Sequence, residues 1–166
     1  MKLRNKLPVP ALVALQLTLS PLALGVSGMA YAQAIVPFEV RALDRGTDGA
    51  VKVFEPAVIR IQPGETVDFV AWDFGHDLIA VDGLLPAGAP GFKGYKNADT
   101  SVSFDSEGVY VYQCAAHKAV GMVGLVVVGD PKVNLDAVLA SYQSNTALSE
   151  PGITRVGVLL DSLGSD

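Results

Sequence analysis

Val109-Tyr110-Val111-Tyr112-Gln113-Cys114-Ala115-Ala116-His117-Lys118-Ala119-Val120-Gly121-Met122-Val123-Gly124-Leu125-Val126-Val127-Val128 is the stretch from which the rest of the chain can be read. Its first six residues are a strand candidate. Cys114 shares parity with Tyr110 and Tyr112, so the three side chains point to one face. The last seven residues form a second strand, apolar on both parities, which must therefore be covered on both faces. Between the two strands lies Cys-x2-His-x4-Met, in a turn of a length that gathers Cys114, His117 and Met122 around one point.

Downstream, the chain supplies the second cover. Asn134 can cap a helix in which Leu135, Val138, Leu139 and Tyr142 recur at i, i+3, i+4 and i+7. A second helix is predicted from about Ile153 to Leu163, with Ile153, Val156, Leu160 and Leu163 inward. The polar linker Gln143 to Pro151 separates them. Upstream, Pro37 to Leu43 alternates around Phe38, Val40 and Ala42, and Asp44 to Gly49 has turn chemistry. Val58 to Gln62 alternates before the Pro63-Gly64 turn. Thr66 to Trp72 and Asp77 to Val81 are further strands, and a Gly/Pro-rich loop runs from Asp82 to Gly94. Ser101 to Asp105 and Val109 to Cys114 read as a hairpin through Ser106-Glu107-Gly108. Short strands with this punctuation predict an all-β sandwich or barrel with one or two C-terminal helices, the helical tail starting near residue 133.

The 166 residues suit one domain once a targeting segment is set aside. Residues 1–34 read as a secretory signal peptide. Lys2, Arg4 and Lys6 precede an apolar run from Ala11 to Gly28, and Ala-x-Ala exits end at Ala32 and Ala34. An uncleaved membrane anchor is the competing reading, because the run approaches spanning length. Pro21 and the small-residue exit favour cleavage, with the cut after Ala34 preferred. The expected product is residues 35–166, exported and not inserted in a membrane. The full chain carries a net charge of −5. Removing three basic residues leaves nine basic against seventeen acidic, a net charge of −8. Such an acidic chain is a poor nucleic-acid binder.

The sequence holds one cysteine, two histidines and three methionines. Within residues 35–166 these reduce to His76, Cys114, His117 and Met122. No internal disulfide is possible. A thiolate, two imidazoles and a weak thioether make the ligand set of a mononuclear type 1 copper electron-transfer site. A structural zinc site is disfavoured by the methionine, a poor zinc ligand. A Cys/His nucleophilic dyad would want the cysteine at an activating helix end, whereas Cys114 ends a strand. A binuclear copper centre needs two cysteines. The second functional class is an exported copper carrier without redox shuttling; a single methionine and a buried-looking cysteine speak against exchangeable binding. Gly88 and Gly91 serve a loop, since the Lys-Ser/Thr of a phosphate cradle is missing. Trp72 and Phe74, flanking His76, are read as core packing. Asp73 and Asp77 are read as solvated or local hydrogen-bond groups.

Beyond these residues the chain resembles the pseudoazurins, bacterial periplasmic cupredoxins. The resemblance runs through Phe38-Glu39-Val40, Asp48-Gly49-Ala50, Val53-Phe54-Glu55-Pro56-Ala57, Pro63-Gly64-Glu65-Thr66-Val67, Gly75-His76, Gly108-Val109-Tyr110, Cys114 to Met122, Val128-Gly129-Asp130 and Asn134-Leu135. It implies an eight-stranded Greek-key sandwich binding one copper ion, cycling Cu(I)/Cu(II), as a monomeric one-electron shuttle and not an enzyme. It also implies a buried His76 and a partly exposed His117. The implied acceptors are denitrification enzymes, notably copper nitrite reductase, with a cytochrome or a quinol pathway as donor. Leu85, Pro86, Ala115, Ala116, Ala119 and Val120 are expected as an apolar docking patch near His117, with Lys93, Lys96 and Lys118 as a basic rim. Three positions depart from the family pattern. Asp77 stands where an Asn is usual, Ala116 where a Pro is usual and Ala115 where a hydroxyl residue is common. In the family that Asn ties the two ligand loops. The departures are expected to shift the reduction potential and leave the ligands intact.

Overall fold

Period-two alternation becomes two facing sheets in the computed structural model, which describes residues 38–164. The signal-peptide reading of residues 1–34 lies outside the described residues. The first sheet has the order β2-β1-β4-β7, from Val51–Glu55, Phe38–Arg45, Glu65–Val70 and Thr100–Phe104. The second has the order β3-β9-β8-β5-β6, from Val58–Ile61, Val123–Val128, Gly108–Gln113, Leu78–Ala80 and Lys93–Gly94. β1 with β4 and β3 with β9 are parallel, and the other pairs are antiparallel. Among the described residues there are nine paired strands. The two-residue β6 supplies one beyond the eight expected. No strand was expected at 51–55, where β2 pairs with β1.

The double-sided burial of β8 and β9 is the organising feature. Every residue of both strands is buried. Tyr110, Tyr112, Cys114, Met122, Val126 and Val128 pack between the sheets with Val40, Phe54 and Phe69. The opposite parity, Val109, Val111, Val123, Leu125 and Val127, packs against the tail through Val138, Leu148, Val156 and Leu160. Burying a side chain of this size contributes roughly 1.5–3 kcal/mol. The tail comprises α1, Leu135–Ser141, and α2, Glu150–Ser162. Ser149 caps α2, its hydroxyl accepting from the Gly152 N–H at 3.2 Å, with Pro151 in the first turn.

Three expectations need correction. The hairpin between Ser101–Asp105 and Val109–Cys114 does not form. β7 pairs with β4 and β8 pairs with β9 and β5, so Ser106-Glu107-Gly108 carries the chain from one sheet to the other. Asn134 occupies the N-cap position of α1 without capping it. Its side chain instead reaches β8, accepting from Val109 N–H at 2.7 Å and donating to the Val109 carbonyl at 2.9 Å. Leu139, expected inward, is exposed, because the side of α1 that meets the sheet is the one carrying Leu135, Val138 and Tyr142.

Candidate metal centre

Strand β8 delivers Cys114 to the end of the sandwich, and β9 starts directly after Met122. The intervening loop is closed on itself. Cys114 N–H donates to the Met122 carbonyl at 2.9 Å, and His117 N–H to the Cys114 carbonyl at 3.2 Å. A 3₁₀ turn, Lys118–Val120, follows and ends at Gly121 with φ 75°. That conformation is open to glycine at little cost. A Cβ at this position would also sit 2.6 Å from the Pro151 carbonyl carbon. The helical tail is therefore pressed against the ligand loop. Ser149 Oγ donates to the Lys118 carbonyl at 2.6 Å.

His76 arrives on a separate loop after β4. Asn97 clamps that loop from both sides. Its Oδ1 accepts from Gly75 N–H, and its own N–H donates to the His76 carbonyl at 2.8 Å. Asn97 holds φ 62°, a left-handed conformation that Asn tolerates better than most residues. His76 is 1% exposed, and its Nε2 lies 3.0 Å from Asp44 Oδ1. The same carboxylate oxygen is paired with the Lys52 ammonium. The Lys52 hydrogen bond is the largest influence on Asp44 and holds its carboxyl below the ordinary range, against a smaller upward push from desolvation. The ionised carboxylate only accepts, so Nε2 is the donor of this hydrogen bond and Nδ1 is the ring nitrogen that faces the thiol.

His76 Nδ1 is 4.0 Å and His117 Nδ1 is 3.4 Å from Cys114 Sγ. The imidazole centroids are 4.7 Å apart. One donor atom from each of the three residues lies within 4.8 Å of the others, in a group that could hold a metal ion. Met122 is fully buried in the same inter-sheet cluster as Cys114. His117 is half-buried, as the resemblance implies. Burial is the largest influence on two of these groups. It raises the Cys114 thiol, opposed by the Asp77 N–H directed at the sulfur, and it lowers His117, helped by the charge of Lys52. A neutral imidazole is a ready ligand, and the thiol must lose its proton to bind.

The loop departures interlock. Asp77 N–H points at Cys114 Sγ at 3.5 Å, and Asp77 Oδ1 accepts from Ala116 N–H at 3.3 Å. A proline at 116 would lack that hydrogen. The acid and the alanine thus keep the two ligand loops tied, with an acceptor at 77 and a donor at 116. Asp73 is a local hydrogen-bond group too: its Oδ2 accepts from Asp44 N–H at 2.7 Å.

Two readings of the surroundings are corrected. Trp72 and Phe74 are 59% and 84% exposed and are not core. β4 ends at Val70, so the inward alternation stops before them. Arg41 lies over the Trp72 ring, 4.4 Å from its centroid. Leu85 and Pro86 do not flank His117. Pro86 packs at Gly108, where a Cβ would meet its Cγ at 2.9 Å. Gly108 starts β8, and the run from there to Cys114 spans about 20 Å at a strand rise of ~3.3 Å per residue, so Pro86, and Leu85 in the same groove with Ser106 and Glu107, lie toward the far end of the strand from the loop of His117. Ala115, Ala116, Ala119 and Val120 are exposed around His117. Asp44 and Asn97 were missed from sequence, because nothing in their local pattern marks a residue that bonds the His76 loop from 20 or more positions away.

A family model for copper binding proteins of the plastocyanin/azurin family matches residues 41–129. The chain is 43% identical over 98 residues to the pseudoazurin of Methylorubrum extorquens, covering 59% of this chain and 66% of that protein. It is 42% identical over 99 residues to the pseudoazurin of Paracoccus pantotrophus, covering 60% and 68%. The match thus spans about two thirds of the length of these curated relatives. The crystal structure of pseudoazurin from Methylobacterium extorquens AM1 superposes with a TM-score of 0.68 at 35% identity, covering 76% of this chain and 98% of that one.

Proposed function

The chain belongs to the plastocyanin/azurin family of copper-binding proteins and, within it, to the pseudoazurins, and from that premise we propose that it is an exported, periplasmic one-electron carrier and not an enzyme. One copper ion would be held by His76 and His117 through nitrogen, Cys114 through thiolate and Met122 through its thioether. The observation that carries this is the meeting of two imidazoles and the sequence's single thiol within 4.8 Å, in loops tied at both ends. The donor set fits copper: a thiolate and two imidazoles suit it, and a weak thioether would complete a blue site. When bound, the copper ion supplies a Cu(I)/Cu(II) couple and a thiolate charge-transfer chromophore.

The protein's own part is to hold these donors still. The backbone bonds of the 114–122 loop, the Asn97 clamp and the Asp77–Ala116 tie each fix a ligand-bearing segment. Burial of His76 and Cys114 argues against the exchangeable binding of a carrier. His117 is the one imidazole that reaches the surface, ringed by small apolar side chains. There a partner could approach the ring edge closely and shed little bound water. The proposed acceptor is a nitrite-reductase-type protein, with a cytochrome or a quinol pathway as donor and the carrier as a monomer. The basis for this is the resemblance to pseudoazurins. Export rests on residues 1–34; among the described residues no helix is long and apolar enough to cross a membrane. Intact mass of the exported protein tests the cut after Ala34 or Ala32.

Loading metal-free protein with Cu(II) is the decisive experiment. An intense visible band is expected, lost in Cys114→Ser while the sandwich stays folded. A colourless wild-type complex at full copper occupancy would refute the reading.

A further inference from the structure

We propose that Arg155 of helix α2 is a positioning residue of the metal centre, holding both the Met122 side of the ligand loop and the Nε2 edge of His76. The inference rests on the copper-site reading above. Arg155 Nη1 donates to two carbonyls, that of Gly121 at 3.3 Å and that of Lys52 at 3.1 Å. Gly121 directly precedes Met122, so the first contact fixes the backbone from which the thioether hangs.

The second contact has a longer reach. Lys52 lies in β2 with φ 52°, a left-handed conformation in a residue that carries a Cβ. Such a backbone is disfavoured for a residue with a Cβ, so something must hold it. The Arg155 guanidinium on the Lys52 carbonyl is such a hold. From this conformation the Lys52 ammonium reaches Asp44 Oδ1, the oxygen that also faces His76 Nε2. A path of three contacts thus runs from the helical tail to a buried imidazole: Arg155 to the Lys52 carbonyl, Lys52 to Asp44, Asp44 to His76. Groups that bond the far nitrogen of a ligating imidazole fix its tautomer and ring orientation. Arg155 is 79 positions from His76 in sequence and acts on it through two intermediaries. The C-terminal helix is in this sense part of the site as well as a cover for the sheet.

The test compares wild type with Arg155→Met, which keeps the aliphatic stem, and Arg155→Lys, which keeps a donor. Long-range proton–nitrogen correlation of the metal-free protein reads the His76 tautomer directly. Wild type should show one dominant Nε2–H form. Arg155→Met should raise the minor form several-fold and leave Arg155→Lys between the two. With Cu(II) bound, Arg155→Met should shift both the visible spectrum and the reduction potential. Lys52→Gly separates the backbone from the ammonium: it accepts the same φ without strain but cannot pair with Asp44, and should disturb the His76 tautomer as Arg155→Met does. A folded Arg155→Met protein with unaltered tautomer, spectrum and potential would overturn the proposal. If Arg155→Met fails to fold, the Lys52→Gly tautomer decides, and a wild-type tautomer there overturns it. A colourless wild-type Cu(II) complex would refute the copper reading, while the metal-free measurement still decides the Arg155 path.

Discussion

Replacing Asn134 by alanine should destabilise this protein far more than loss of a helix cap would. Along one edge β8 is bonded to β9 for its whole length. Along the other, β5 reaches only Gln113 and Tyr112, and Val111 is served by the Leu84 carbonyl and the Val81 N–H at 3.0 and 2.9 Å. Val109 is left with its N–H and carbonyl facing no strand, and it is fully buried. The Asn134 amide bonds both, as a strand residue would. Truncation removes both partners at once. Each buried backbone group left unsatisfied costs about 1–3 kcal/mol, so the pair costs about 2–6 kcal/mol, toward the lower end if a water molecule fills the space. Loss of a cap alone would cost about 1 kcal/mol and would be restored by Asp or Ser. Asn134→Asp keeps the acceptor for Val109 N–H but sets a carboxylate oxygen against the Val109 carbonyl, so it should remain well below wild type. Urea unfolding of the metal-free protein, followed by circular dichroism and extrapolated linearly, measures the differences. A loss within about 1 kcal/mol for Asn134→Ala, or full recovery in Asn134→Asp, would refute this account.

Three further outcomes are expected. Gly124→Ala would drive a methyl group into the Tyr112 ring, which Phe54 and Phe69 hold edge-on at 4.8 and 5.1 Å. The cost should be about 1–3 kcal/mol, visible as a lowered Tm, and an unchanged Tm would show that the ring yields. Ala116→Pro removes the N–H that Asp77 accepts, and should shift the reduction potential without removing copper; a redox titration identical to wild type would mean that this tie does not tune the site. Val120→Asp or Ala119→Asp should strongly slow electron transfer to a nitrite-reductase-type partner with the spectrum unchanged. Lys118→Ala should have a smaller effect that fades with salt, and stopped-flow rates showing the reverse order would sink the apolar docking model.

What the sequence determined by itself was the chemistry and the layering. His76, Cys114 and His117, which the fold gathers, and Met122, proposed beside them, were legible as candidates because donor identity is written in the residue type and the Cys-x2-His-x4-Met spacing is local. The two-faced burial of β8 and β9 and the helical tail were legible because period 2 and period 3.6 are properties of a short window. The tertiary structure alone decided which groups pair across distance. Ser106-Glu107-Gly108 reads as a hairpin turn, yet it crosses between sheets because backbone hydrogen bonds select partners from the whole molecule. Asn134 has the residue type and position of a cap, but the unpaired Val109 lies within reach and two buried backbone groups outweigh one frayed helix end. Trp72 and Phe74 look like core by composition, and are exposed because the strand stops at Val70. Asp44, Lys52 and Arg155 are ordinary surface-type charges in sequence. Only the fold brings them together, Asp44 against His76, Lys52 against Asp44 and Arg155 against the Lys52 carbonyl, since charged side chains acquire a role from the neighbours that folding brings to them.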